Sequence, residues 1–238
     1  MKNIIIYLTL AFPNEEKFFK ILDMLDRLGV YAVEIGIPDD NPFMDGKTIQ
    51  ASHHDVLKRK YSPETIVSMI QTIMSDYRFE TVLMGYQDSF ESNRIIGHDA
   101  LTDAHLLCVN KALTFADHPK VIQLYDPDMD ESAIQATVKH NTLFAYCMSH
   151  KSKTGVQLET STDTAETIET VKKHAAIPAF LGFGIKDDNH AEKAASMGAD
   201  GIIIGSAFVS KSIHGSIADL EQYVKDMNQA FNNRLEVY

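Results

Sequence analysis

The stretch AVEIGIPDDNPFMDGKTIQ, residues 32–50, organises the chain, because it combines an apolar strand with a shaped acidic loop. Apolar residues alternate over 31–35, so if one face of the strand meets a covering helix, Glu34 points the other way, into the interior of the sheet. Glycines and prolines at short intervals over 36–46 predict a loop that brings Asp45 back towards the strand end. The alternative is an ordinary polar strand end followed by a solvated loop.

Length, composition and charge narrow the class of protein. The chain has 238 residues, 45% of them hydrophobic and 23% charged, which suits one globular domain over 1–238. Its apolar runs are too short to span a bilayer, and its N-terminus lacks a signal-peptide pattern, so a cytoplasmic location is expected. The net charge of −11 argues against nucleic acid and anionic membranes as partners. Cys108 and Cys147 are interpreted as buried free thiols.

Strand and helix patterns alternate along the whole chain. This alternation predicts parallel strands closed into a (β/α)8 TIM barrel, an α/β fold, with an open doubly wound sheet as the alternative. The predicted strands are 4–9, one carrying Glu34, 81–84, 104–108, 121–125, 143–148, 179–183 and 201–204. The predicted helices are 13–29, 63–77, 92–98, one near 112, 130–140, 164–175, 189–197 and 216–231.

Glycines after the last strands predict an anion site. In a barrel of this kind the chemistry lies where the strands end. Gly184 follows strand seven, Gly205 and Ser206 follow strand eight and open a helix, and Gly155 follows strand six. Backbone N–H groups there can bind a phosphate without any basic side chain, although each glycine could instead serve only a tight turn.

The histidines after the acidic loop are interpreted without a ligand role. His53 and His54 lie on the predicted helix that follows the loop, and we interpret them as part of a polar helix face. A metal site would need a third and a fourth donor, and no cluster of such donors stands out, so neither a metal nor another cofactor is expected.

At this point the motifs resemble the α subunit of tryptophan synthase. The family signature E-x-G-x-P-x-x-D-P-x-x-D-G-x-x-I-Q is matched over 34–50, with Asn41 in place of one Asp. The resemblance covers nearly the whole chain. Further matches are LMGY at 83–86, Tyr146 before Ser149, TG at 154–155, GFGI at 182–185, and GADG at 198–201 leading to GSA at 205–207.

The resemblance implies a (β/α)8 lyase that cleaves indole-3-glycerol phosphate to indole and glyceraldehyde 3-phosphate without a cofactor. It implies that Glu34 is the general acid/base and that Asp45 is the partner of the indole nitrogen. In an apolar barrel mouth Glu34 is expected to have a raised pKa, whereas Asp45 on a wetter loop is expected to stay ionised. Substrate-binding residues are then Tyr7, Ile49, Tyr146, Thr154 and Phe183, and phosphate-binding residues are Gly155, Gly184, Gly205 and Ser206.

Several segments depart from the family pattern. The family fold opens with a helix before strand one and none is expected here, an Asp after strand one has become Phe12, and the motifs after strands four and six have changed. In the family these loops meet the β subunit, so an interface with such a partner is expected to have diverged. Three functions therefore remain open: the indole-3-glycerol-phosphate lyase, a diverged lyase acting on another phosphorylated substrate, and a non-catalytic regulatory homologue.

Overall fold

Eight parallel strands form the centre of the molecule in a computed structural model that describes residues 1–149, 162–182 and 184–235. The strands are β1 Ile4–Thr9, β2 Ala32–Gly36, β3 Glu80–Gly85, β4 His105–Cys108, β5 Leu124–Tyr125, β6 Ala145–Met148, β7 Ala179–Gly182 and β8 Gly201–Ile204. The helices are α1 Glu15–Leu28, α2 Lys47–Leu57, α3 Pro63–Asp76, α4 Gln87–Ser92, α5 Glu131–Val138, α6 Thr162–His174, α7 Asp188–Ser196, α8 Ser206–His214 and α9 Ile217–Leu235.

The strand order β4-β3-β2-β1-β8-β7-β6-β5 confirms the predicted (β/α)8 barrel. β1 pairs in parallel with both β2 and β8, which joins the two halves of the sheet. At the opposite seam the described residues show no ladder between β4 and β5. There Val121, which precedes β5, forms an isolated bridge with Leu106 of β4, and on its other side it bridges to Asn141 before β6. The barrel is therefore nearly closed, and its two seams differ in strength.

Helix α1 shows how the sequence sets an element of the outer layer. Asn14 caps its N-terminus by accepting a hydrogen bond from the Lys17 amide, and Gly29 ends it in the left-handed region at φ 66°. Apolar residues at helical spacing lie on its inner face, which packs against the strands. They are Phe18, Ile21, Leu22, Met24 and Leu25, and all are buried.

Two predicted helices are wrong. The helix expected at 92–98 lies instead at Gln87–Ser92, because the Ser89 hydroxyl accepts from the Tyr86 amide and starts the helix earlier. The helix expected near 112 does not form. There the Asp117 carboxylate accepts from the amide and the hydroxyl of Thr114, and such side-chain bonds favour a turn over a helix.

Cys108 and Cys147 are buried free thiols, as predicted. Within the described ranges, no helix combines the length and the apolar character needed to cross a membrane.

Candidate active site

A cavity at the carboxyl ends of the strands collects the predicted site residues. Those that the structure describes all line it, namely Tyr7, Glu34, Asp45, Ile49, Tyr146, Gly184, Gly205 and Ser206. Met84, Ile185 and Ile203 complete the described lining with apolar surface. Thr154, Gly155 and Phe183, which were also predicted to bind substrate, lie outside the described residues.

Glu34 lies on β2 and is completely buried. The pairing of β1 with β2 places it beside Tyr7, on the face of the sheet that points into the barrel. Among the described residues neither of its carboxyl oxygens has a hydrogen-bond partner. Burial raises its pKa to about 8, because removal from water disfavours the charged form. Glu34 therefore carries its proton at neutral pH and can donate it.

Asp45 is more enclosed than predicted. The expectation of a wet loop is wrong, because only 5% of the residue is exposed. The loop folds back through a hydrogen bond from the Asp45 amide to the Pro42 carbonyl, and the side-chain amide of Gln50 donates to the Asp45 carbonyl. Burial raises the pKa of Asp45 to about 6, although a hydrogen bond from Tyr86 opposes the rise. At neutral pH Asp45 is therefore mostly ionised while Glu34 is protonated.

Tyr86 is a site residue to which the sequence analysis gave no role. It follows β3, and its hydroxyl donates to Asp45 Oδ2 at 2.8 Å while accepting from the Met44 amide at 3.1 Å. The tyrosine thus holds both the carboxylate and the backbone of the loop. A signal was present in the LMGY match at 83–86, but spacing alone does not show that this ring reaches a loop 41 residues earlier.

Tyr7 and Tyr146 form two walls of the cavity. Each ring lies over a glycine of the next strand, Tyr7 over Gly36 and Tyr146 over Gly182. A Cβ atom built at these glycines would lie only 2.1 Å and 2.3 Å from the respective hydroxyl oxygens. Burial raises the pKa of both phenols well above the ordinary value, so both stay protonated.

His53 does not belong to a polar helix face, and that interpretation is wrong. The inward face of α2 is formed by Ile49, Ser52, His53 and Val56, and only 2% of His53 is exposed. Its ring contacts the Tyr7 hydroxyl through Nε2 at 2.8 Å. Its neighbour His54 is exposed, as expected for both. Helical spacing of apolar residues alone missed this position because the inward face includes polar side chains.

The start of α8 lies at one end of the cavity. Ser206 is the first residue of this helix and Gly205 precedes it, directly after β8. By helix geometry the first N–H groups of α8 have no acceptor within the helix, and they carry the positive end of its dipole. Gly205 lies 3.7 Å from Ile49 and 3.8 Å from Tyr7, measured from an ideal Cβ position. These amides therefore lie close to the walls of the acid-containing cavity.

Comparison with protein families and sequences agrees with this arrangement. The sequence model described as tryptophan synthase alpha chain matches residues 1–104 and 108–237. A tryptophan synthase alpha chain from Methanopyrus kandleri is 28% identical, covering 93% of this chain and 85% of the relative. Another, from Helicobacter pylori strain P12, is 29% identical and covers 85% of this chain and 82% of the relative.

Solved structures share the fold. A chain of the tryptophan synthase α2β2 complex from Pyrococcus furiosus superposes with a TM-score of 0.80 at 23% identity, covering 95% of this chain and 98% of that one. A protein from Aquifex aeolicus superposes with a TM-score of 0.81 at 21% identity, covering 96% and 92%. Together with the family match, these findings show that the chain belongs to the tryptophan synthase alpha chain family, the lyases that cleave indole-3-glycerol phosphate in tryptophan biosynthesis.

Proposed function

We propose that Glu34 and Asp45 are the catalytic residues with which this chain cleaves indole-3-glycerol phosphate to indole and glyceraldehyde 3-phosphate. The observation that carries the proposal is the buried Glu34 carboxyl, which has no hydrogen-bond partner among the described residues and holds a proton at neutral pH in the same cavity as an ionised Asp45. Two carboxyl groups whose environments separate their pKa values can divide acid and base roles between them.

Glu34 acts first as an acid and then as a base. It donates its proton to C3 of the indole ring, which makes that carbon tetrahedral and leaves positive charge at the ring nitrogen. The Glu34 carboxylate then takes the proton from the hydroxyl on the adjoining glycerol carbon. As that proton leaves, the carbon–carbon bond breaks, giving indole and an aldehyde, and Glu34 is again protonated.

Asp45 stabilises the charge that develops between these two proton transfers. Its carboxylate accepts a hydrogen bond from the indole N–H, and this bond strengthens as the ring nitrogen becomes positive. Tyr86 keeps the carboxylate oriented through its hydroxyl, and Gln50 anchors the loop from α2. Asp45 therefore acts without being consumed or covalently modified.

The phosphate of the substrate binds at the other end of the cavity. The N–H groups of Gly184, Gly205 and Ser206 are its proposed donors, supported by the position of these residues in the cavity wall. Gly184 has a φ of 82°, a left-handed conformation that side chains other than glycine rarely adopt. Binding there fixes the distance between the phosphate and the scissile bond.

The test is a steady-state assay of indole release by the purified chain, with Glu34→Gln and Asp45→Asn as active-site variants. His54→Ala is a matched control, because His54 is exposed on the same helix that carries the buried His53. We expect the wild type and the control to release indole and both carboxyl variants to be severely slowed. Wild-type turnover in Glu34→Gln would refute the assignment.

We also infer that a tryptophan synthase β-type subunit is the partner of this chain, and that their coupling is weak. Support for the partner comes from the family and from the α2β2 complex named for the Pyrococcus furiosus relative. The loss of acids at Phe12 and Asn41 supports weak coupling, since interface energy concentrates in a few residues. Titration with a β subunit is the test. A Kd of about 1 µM or below contradicts weak coupling, and no detectable binding contradicts the partner.

A further inference from the structure

Behind the Tyr7 wall lies a chain of buried hydrogen bonds that the catalytic proposal does not use. It runs from the loop after β2 through α2 to β1, and its members are Asp39, His53, Tyr7, Thr9, Ser52 and Ile49. The direction of each bond can be assigned from the groups at the two ends.

The His53 ring has one tautomer available in this setting. The backbone N–H of Asp39 can only donate, and it lies 3.1 Å from Nδ1, so Nδ1 carries a lone pair. Burial lowers the pKa of His53 to about 4, with the neighbouring His54 as a smaller cause, so the ring is neutral at pH 7. Its single proton is therefore on Nε2, which donates to the Tyr7 hydroxyl at 2.8 Å.

The other end of this series of hydrogen bonds fixes the direction in which the Tyr7 hydroxyl points its proton. The Ser52 hydroxyl donates to the Ile49 carbonyl at 2.7 Å, so at 2.6 Å it accepts from Thr9 Oγ1. Thr9 Oγ1 in turn accepts from the Tyr7 hydroxyl at 3.3 Å. Every donor in this series of hydrogen bonds is used, and the Tyr7 hydroxyl donates its proton to Thr9, a residue of its own strand β1.

Glu34 is the acidic group that would otherwise accept a hydrogen bond from the Tyr7 hydroxyl. It is the β-sheet neighbour of Tyr7 and, within the part of the chain that the structure describes, its carboxyl oxygens are unpartnered. The titratable groups that interact with Tyr7 or His53 are Glu34, Asp45, His54, Tyr86 and Tyr146. Glu34 and Asp45 are the acidic groups of this set, and Asp45 already accepts from Tyr86, whereas the Glu34 oxygens have no donor among the described residues.

We propose that His53 is a positioning residue which, together with Thr9, holds the Tyr7 hydroxyl away from Glu34 and so keeps the catalytic carboxyl without a hydrogen-bond donor. The proposal rests on the catalytic role proposed for Glu34. A phenol donating to the Glu34 carboxylate would stabilise its charged form and weaken it as an acid. His53 on α2 and Thr9 on β1 thereby keep Glu34 protonated, which is the state in which it starts the reaction.

The test measures the pH at which Glu34 loses its proton when either anchor of Tyr7 is removed. His53→Leu removes the donor to the phenol, and Thr9→Val removes the acceptor with little change of shape. His53→Leu leaves the phenol held only by the 3.3 Å bond to Thr9, and Thr9→Val leaves its proton without this acceptor. In both variants we expect the Tyr7 hydroxyl to donate to Glu34. The alkaline limb of kcat/KM should move down from about pH 8 by about one pH unit, since two or three such bonds can take a carboxyl from about 4 to below 2.

Rescue by a second change separates positioning from simple damage. Adding Tyr7→Phe to either variant removes the freed hydroxyl, so the limb should return to its wild-type position whatever the remaining rate. His53→Gln, which keeps an amide donor, and His54→Leu, on the exposed face, should not move the limb. A limb that stays in place in both anchor variants, or a shift that Tyr7→Phe fails to reverse, overturns the proposal.

A direct readout keeps this test independent of turnover. The Glu34 carboxyl can be followed by ¹³C NMR in protein labelled at its glutamate carboxyls, with Glu34→Gln identifying the signal. If the wild type does not cleave the substrate, the proposed function fails, and the titration still shows whether the anchors control Glu34. If His53→Leu does not fold, Thr9→Val gives the same comparison.

Discussion

Replacing Glu34 by glutamine should make the protein more stable while disabling it. The carboxyl has a pKa of about 8 when folded, against an ordinary value of 4.5. Above pH 4.5 the unfolded chain loses this proton and the folded chain keeps it, so the stability penalty grows by about 1.4 kcal/mol per pH unit. By pH 7 this penalty is on the order of 3 kcal/mol, and glutamine, uncharged in both states, does not incur it.

The sign of the effect follows from the direction of the shift. Because the folded pKa is the higher one, ionisation of Glu34 does not lower the free energy of unfolding below about pH 4.5. Above that pH this penalty rises until the pH passes about 8. The stabilisation by Glu34→Gln should therefore be near zero at pH 4 and reach about 3 kcal/mol at pH 7. Glutamine has nearly the shape of the neutral acid, so packing contributes little to the difference.

Urea unfolding followed by circular dichroism at pH 4, 5.5 and 7 measures this dependence, and indole release measures activity on the same samples. Turnover should fall by roughly 10² to 10⁴ because the variant cannot transfer a proton. Glu166→Gln is the matched control, since Glu166 is exposed on α6. A difference in stability that does not change with pH, or a variant less stable than wild type at pH 7, would refute the reasoning.

Four further outcomes are expected. The kcat/KM of the wild type should be bell-shaped, falling below about pH 6 as Asp45 is protonated and above about pH 8 as Glu34 loses its proton, in a steady-state profile. Tyr86→Phe removes the donor to the Asp45 carboxylate, so the acidic limb should move to higher pH. Ser206→Asp puts a negative charge at the start of α8, and KM should rise about tenfold or more with a smaller change in kcat. Gly36→Ala forces the Tyr7 ring to move and should cost about 1–3 kcal/mol in thermal or urea unfolding.

The acid on β2 could be predicted from sequence because strand alternation is a local signal. Successive side chains of a strand point to opposite faces, so the position of Glu34 between apolar neighbours indicates the face on which it lies. The glycines after β7 and β8 could be located in the same way, since each follows an apolar strand directly. Such features depend on the pattern within a single strand and its turn.

The surroundings of Asp45 and His53 could not be predicted, because they depend on contacts between distant segments. The Tyr86 hydroxyl donates to Asp45 across 41 residues of chain, and the His53 ring contacts the Tyr7 hydroxyl across 46 residues. The helix predicted at 92–98 was misplaced for a local reason: the Tyr86 amide donates to the Ser89 hydroxyl three residues later, and this capping bond starts the helix earlier than apolar periodicity indicates. Local periodicity carries no information on which side chain will supply such a bond.

The unequal seams of the barrel have a consequence for its fluctuations. Among the described residues, the isolated bridge of Val121 with Leu106 is the strand pairing that joins the two halves near β4 and β5, whereas β1 and β8 pair directly on the opposite side. Local opening concentrates where backbone hydrogen bonds are few, so among the buried strands amide deuterium uptake should be faster around Val121 than in β1. Glu34 and the start of α8 lie beside the tightly paired seam. We therefore expect the barrel to open transiently at its far side while the distance between the proposed catalytic acid and the proposed phosphate site is preserved.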